Sequence, residues 1–166
     1  MAKLIYPLED VLKIKIKRVD EAQKVVEQKE IALKQEEEKL KQVEAERDKV
    51  LNHRDDKLNQ MYQAFDEGTT TDEIQMMRNY LEVVNEKLEI EEQKVLKQKE
   101  QVDIAEKALL LAKEHLAEKK KEVEKLETHK KEWLKEAKIE LEKEEIKKQD
   151  EIAETVFLNR RLKENS

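Results

Sequence analysis

One glycine, Gly68, and one proline, Pro7, are the only such residues in a chain of 166. A compact domain of this length needs many turns, and Gly and Pro are the residues that make them without strain. A chain with one of each must fold into long, uninterrupted elements. Composition says which kind: 46% of the residues are charged and 4% are aromatic, the balance of long helices and coiled coils. A mean hydropathy of −0.98 would also suit a disordered chain, but disordered acidic segments lack a persistent apolar period. This chain has one.

From Val19 the apolar residues step by threes and fours through Ala22, Val26, Leu33, Leu40, Val43 and Val50. Lys29, Glu36, Arg47 and Arg54 stand in the remaining slots of the same series. A step of four from Arg54 to Leu58 slips the phase, and the stripe continues through Met61, Tyr62 and Phe65. Beyond the glycine one frame runs from Ile74 through Leu81, Leu88, Val95, Leu109, Leu116 and Val123 to Trp133 and Ala137. Glu91, Gln98, Lys119 and Lys130 are its polar interruptions. Alternating steps of three and four mark a coiled-coil seam.

The glycine lies between the two series, where Gly68 suits the left-handed position just past a helix C-terminus. Thr70 and Glu73 spell a T-x-x-E capping box, and Asp72 adds negative charge to the positive end of the helix that follows. One helix therefore stops and another starts within a few residues. The sequence predicts an all-α fold, an antiparallel two-helix coiled-coil hairpin over residues 1–166 with the second helix longer. Helix one is expected over about 7–67 with Pro7 in its first turn, the turn at 68–70, and helix two over about 71–160. At 1.5 Å per residue these helices are roughly 90 Å and roughly 135 Å long.

Folding back about Gly68 sets Pro7 opposite Lys130, so residues after about Trp133 form an overhang without a partner. Local pairs such as Glu132/Lys135, Glu140/Lys143 and Glu144/Lys147 contribute only about 0.2–0.5 kcal/mol each, so that segment is expected to be helical but to fray. The same fold-back brings Arg47 near Glu91. Either the two form a paired polar layer that fixes register, or both extend their heads to water.

Function is bounded mainly by exclusion. The net charge is −6, with 35 basic and 41 acidic residues interspersed; nucleic acid, which needs a concentrated basic face, is not an expected partner. There is no cysteine, hence no disulfide framework and no thiolate metal site. The longest apolar run, Ala108 to Ala112, is too short to cross a bilayer. The start, MAKLIYPLED, has no apolar core of signal-peptide length before Pro7 and Glu9, so the chain reads as cytosolic. His53, His115 and His129 have no ligand spacing, no glycine-rich phosphate loop exists, and a two-helix fold offers no closed cleft. An enzyme is not expected, nor any cofactor or metal.

Bulky residues cluster at the turn instead: Met61, Tyr62, Phe65, Met76, Met77 and Tyr80. A two-helix seam is too narrow to bury all six. They either seal the hairpin end or form an exposed anchor patch, and the crowding favours the patch. Elsewhere, Tyr6 and Trp133 come close by the same geometry. The stretch LKIKIKR, Leu12 to Arg18, alternates apolar and basic residues and fits no single helical face. Val156, Phe157 and Leu158 form an apolar knot in the overhang, either an amphipathic tail awaiting a partner or a disordered end.

Three stretches, YPLEDVLKIKIKRVDEAQKVV, DEGTTTDEIQMMRNYLEVV and HKKEWLKEA, carry a resemblance to the YscO/FliJ stalk proteins of bacterial type III secretion. The virulence-type, YscO-like branch is the more similar. The resemblance implies a non-enzymatic stalk, akin to the rotor stalk of rotary ATPases. It would link the secretion ATPase hexamer to the cytoplasmic domain of the export gate. Some members of the family also escort substrate chaperones, which the resemblance adds to the expected partners. It implies a place in the bacterial cytoplasm at the inner-membrane secretion apparatus, without membrane insertion, and a monomer when alone. The end with both termini, including Lys15, Lys17, Arg18, Val156, Phe157 and Leu158, would face the ATPase. Tyr62, Phe65, Met76, Met77 and Tyr80 at the turn would face the gate. The alternative reading is a generic rod-like scaffold or prefoldin-like chaperone arm that joins its own copies.

Circular dichroism is expected to report almost complete helicity, and scattering a radius of gyration well above the about 15 Å of a compact domain of this length. A compact value would contradict the hairpin.

Overall fold

The computed structural model describes residues 4–166. Helix α1 spans Glu9–Glu67 and helix α2 spans Thr71–Glu164, 59 and 94 residues. No strand occurs among the described residues. The fold is an all-α helical hairpin whose second helix is the longer. Contacts group the chain into two compact units, one of the residues up to Ala22 with Leu116–Ser166, the other Gln23–His115.

Within Gln23–His115 the helices run antiparallel, since Glu36 meets Gln98 while His53 meets Tyr80. Val26 and Met61 of α1 are buried with Leu81, Val84, Leu88 and Val95 of α2. Every frame position from Ile74 to Ala112 is buried or half-buried, because steps of three and four keep one stripe on the partner helix. On α1 the polar slots Glu36, Arg47 and Arg54 are half-buried as well, whereas Lys29 is exposed and the small Ala32 packs beside Leu33.

The polar layer is not the one that simple fold-back suggests. Arg47 and Arg54 lay their stems in the seam and turn their guanidiniums to the next residue, Asp48 at 3.0 Å and Asp55 at 3.1 Å. Glu91 pairs with Lys94 at 3.3 Å. No ion pair joins Arg47 to Glu91 among the described residues; a long stem lets the charged head reach water while its methylenes stay packed. The interhelical bond is made by Gln98, whose amide donates to the Glu36 carboxylate at 2.6 Å and to the Glu36 carbonyl at 2.9 Å.

In the other unit Tyr6, Leu12, Ala22 and Leu116 are buried. Helix α1 starts at Glu9 rather than Pro7, because Tyr6–Pro7–Leu8–Glu9 closes a turn in which the Glu9 amide donates to the Tyr6 carbonyl at 3.1 Å. Proline presets the φ of such a turn's second position. Half-buried positions on α2 continue past Trp133 to Ala137 and Leu141. Every residue of 142–166 is exposed, although helix α2 continues to Glu164. Glu132/Lys135, Glu140/Lys143 and Glu144/Lys147 do not come within 4 Å of each other among the described residues; the backbone ladder carries the helix there, with the Thr155 hydroxyl donating to the Glu151 carbonyl at 2.8 Å.

The Gln98 bond holds the Glu36 carboxyl below its ordinary value of 4.5, with a smaller contribution from Lys39. A carboxyl whose value folding lowers stabilises the fold fully above its ordinary value and loses that contribution as pH falls through the lowered one. Stability is therefore expected to drop below about pH 4.5. In Gln98→Ala, a carboxyl-carbon NMR titration should show Glu36 moved up towards its ordinary value; an unmoved titration would contradict the assigned cause.

Candidate interaction site

The turn is built by backbone geometry. Gly68 has φ +84°, and a Cβ placed there would meet nothing within 4 Å. The position excludes side chains through strain alone, not through crowding. Helix α2 then opens on Thr70: its carbonyl accepts from the Ile74 amide at 3.2 Å and its hydroxyl from the Glu73 amide at 3.3 Å. The Glu73 carboxylate does not return to the Thr70 amide. It accepts from the Thr69 hydroxyl instead. Asp72 and Glu73 stand in the first turn of α2, where the free amides favour negative charge.

The bulky residues near the turn divide between seam and surface. Met61 is buried and Met77 half-buried, while Tyr62, Phe65, Met76 and Tyr80 are exposed. Helical phase splits the exposed four. The Tyr80 hydroxyl meets His53 Nε2 at 2.7 Å, and the Lys57 ammonium lies 5.7 Å from its ring centre. Met76, Met77 and Tyr80 line one shallow depression with Lys57 and Gln60. Tyr62 and Phe65, one and four residues past Met61, fall on the other flank of α1. The structure thus gathers Met76, Met77 and Tyr80 and leaves Tyr62 and Phe65 apart from them.

In the unit that holds both chain ends, Tyr6 is the anchor. Its ring packs against His129 and edge-on to Trp133, with centres 5.6 Å and 5.7 Å away, and its hydroxyl bonds His129 Nδ1. Lys130 pairs with Glu9 at 2.7 Å. Lys15 is taken up by Glu122 at 3.0 Å, which together with the Lys119 charge holds the Glu122 carboxyl below its ordinary value. Lys17 and Arg18 are exposed, as are Ile14 and Ile16. Val156, Phe157 and Leu158 are exposed at 46%, 64% and 56%, which a helix with no covering neighbour explains.

Spacing alone does not single out His129 or His53, although His129 and Trp133 stand one turn apart on α2. Among the described residues no three His, Asp or Glu side chains are grouped to hold a metal ion. No described helix is long and apolar enough to cross a membrane. What this arrangement presents is surface: apolar side chains on helices that their own chain leaves uncovered. It defines a class of helical-hairpin proteins. Comparison with known proteins gives the family, for the YscO-like protein family matches residues 3–163. The chain belongs to the YscO-like family, whose members are type III secretion proteins. A solved structure of a "putative YscO homolog", CT670 from Chlamydia trachomatis, is 46% identical, covers 96% of this chain and 98% of its own, and superposes with a TM-score of 0.93. Among proteins with curated descriptions, none matches.

Gly68→Val is expected to destabilise the fold by about 1–2 kcal/mol, the cost of holding a side-chain-bearing residue in the left-handed region. Gly68→Asn should cost less, since Asn tolerates that region. Urea unfolding of the three proteins tests this, and equal midpoints for parent and Val variant would contradict the assignment of strain.

Proposed function

We propose that this protein is a non-enzymatic stalk of a type III secretion apparatus, linking the secretion ATPase ring to the cytoplasmic domain of the export gate and escorting substrate chaperones. One observation carries the reading: helix α2 runs on from 142 to Glu164 with every residue exposed, Val156, Phe157 and Leu158 included. Exposed apolar clusters on a helix with no intrachain partner are docking surfaces by default. Family membership supplies the machine. The exposed basic residues Lys17 and Arg18 and the 156–158 cluster are assigned to the ATPase. The turn residues Tyr62, Phe65, Met76, Met77 and Tyr80 are assigned to the gate.

Removing 150–166 should leave the thermal midpoint nearly unchanged, since no side chain there is buried, while weakening capture by the purified secretion ATPase. Undiminished capture would move the contact elsewhere. Phe65→Ala with Tyr80→Ala should lose about 1–4 kcal/mol of gate binding, the range for truncated interface anchors, with helicity retained. A parallel loss of helicity and gate affinity would instead make these residues a structural seal.

A further inference from the structure

A second apolar series runs along α2 beside the seam. Met76, Val83, Ile90, Ile104 and Leu111 recur at steps of seven or fourteen, and each is more than half exposed. Each lies two residues past a seam position, Ile74, Leu81, Leu88, Val102 and Leu109 in turn. Side chains seven apart on a helix stand nearly one above another, so the five form a single stripe. Tyr80 joins it between Met76 and Val83. The bond from Tyr80 to His53, and a depression that Val83 and Lys87 share with Glu46, Lys49 and His53, set this stripe along one flank of the helix pair. All of it lies within Gln23–His115.

The same flank is basic in an acidic chain. In steps of three and four from Val25 to Gln60 on α1 and from Met76 to Leu111 on α2, it carries six lysines, three on each helix. Against them stand two carboxylates, Glu46 and, beside Lys57 at the phase slip, Asp56. The other flank, from Gln23 to Tyr62 and from Gln75 to Lys113, carries five basic residues against eleven carboxylates. Lys39, Lys49 and Lys94 pair locally with Glu36, Glu46 and Glu91, and exposed pairs of this kind hold their lysines weakly. Lys57, Lys87 and Lys97 have no carboxylate within 4 Å among the described residues. Glu86 and Glu89 border the depression around Ile90 on its outer side.

We propose that this flank docks an amphipathic helix of another protein, with apolar residues at heptad spacing on the stripe and carboxylates against the lysines. Heptad spacing fits a helix as occupant, because a partner helix presents its own apolar residues at the same interval. A lipid surface fits less well, since Lys87, Lys94 and Lys97 stand within the stripe rather than opposite it, and interfacial helices need an unbroken apolar face. A second copy meeting this flank symmetrically would set six lysines against six. The proposal goes beyond the stalk reading and does not depend on it.

The probe is a fluorescein-labelled synthetic helix of three heptads with Leu facing one side and Glu flanking it, titrated with the full chain by anisotropy. Binding should fall in the micromolar range at low salt, and replacing the flanking Glu by Lys should weaken it by at least about tenfold. Ile90→Ser with Ile104→Ser, and separately Lys87→Glu with Lys97→Glu, should each weaken it by a similar factor with unchanged circular dichroism. Leu96→Ser with Leu110→Ser, on the other flank, should not. No binding at about 100 µM, equal binding of the Lys peptide, or indifference to both flank variants would overturn the proposal. So would preferential binding to phosphatidylglycerol vesicles, or self-association abolished by the same variants, which would assign the flank to lipid or to a second copy.

Discussion

Burial of one narrow seam between α1 and α2 is the interaction on which everything else here depends. Two helices in contact can hide one stripe each, and this chain hides little more than that: Val26, Met61, Leu81, Val84, Leu88 and Val95 in one unit, with Tyr6, Leu12, Ala22 and Leu116 in the other. The rest of the surface is left to charge and to exposed apolar residues. That is why many apolar side chains stay exposed on a chain in which charged residues make up 46%. The backbone reversal at Gly68 makes the seam an intrachain one.

Polar groups in the seam are handled in two different ways. Arginines at Arg47 and Arg54 escape along their stems to a neighbouring carboxylate. Gln98 cannot reach as far, so it satisfies its amide on Glu36 across the seam. A short polar side chain thereby fixes register at a cost in apolar burial, while a long one does neither. The turn shows a similar economy, with one unstrained glycine in the left-handed region and one capping threonine setting both helix ends.

Much of the fold was legible because its signals are local or periodic. The three-four steps from Ile74 to Ala137 fall on buried or half-buried positions, and a lone glycine beside a T-x-x-E motif locates the reversal. The misses have physical causes. Pro7 closes a turn instead of opening the helix, a distinction that depends on where Tyr6 docks. Tyr6 meets His129, and His53 meets Tyr80, through flanking positions that become readable only once the register is known. Near the turn, closeness in sequence does not say which flank a side chain takes: helical phase sets Tyr62 and Phe65 on one flank and Met76 and Tyr80 on the other. The lysine-bordered stripe from Met76 to Leu111 escaped a reading directed at the seam, although its seven-residue recurrence is written in the sequence.

Cross-linking tests the intrachain antiparallel seam most directly, because the chain has no cysteine of its own. His53→Cys with Tyr80→Cys replaces two side chains that touch; His53→Cys with Lys87→Cys shifts the second site one heptad, about 10 Å along the helix. A short bismaleimide should join the first pair rapidly within one chain and the second pair slowly. Equal rates for the two pairs, or linkage between chains in place of within them, would contradict the account.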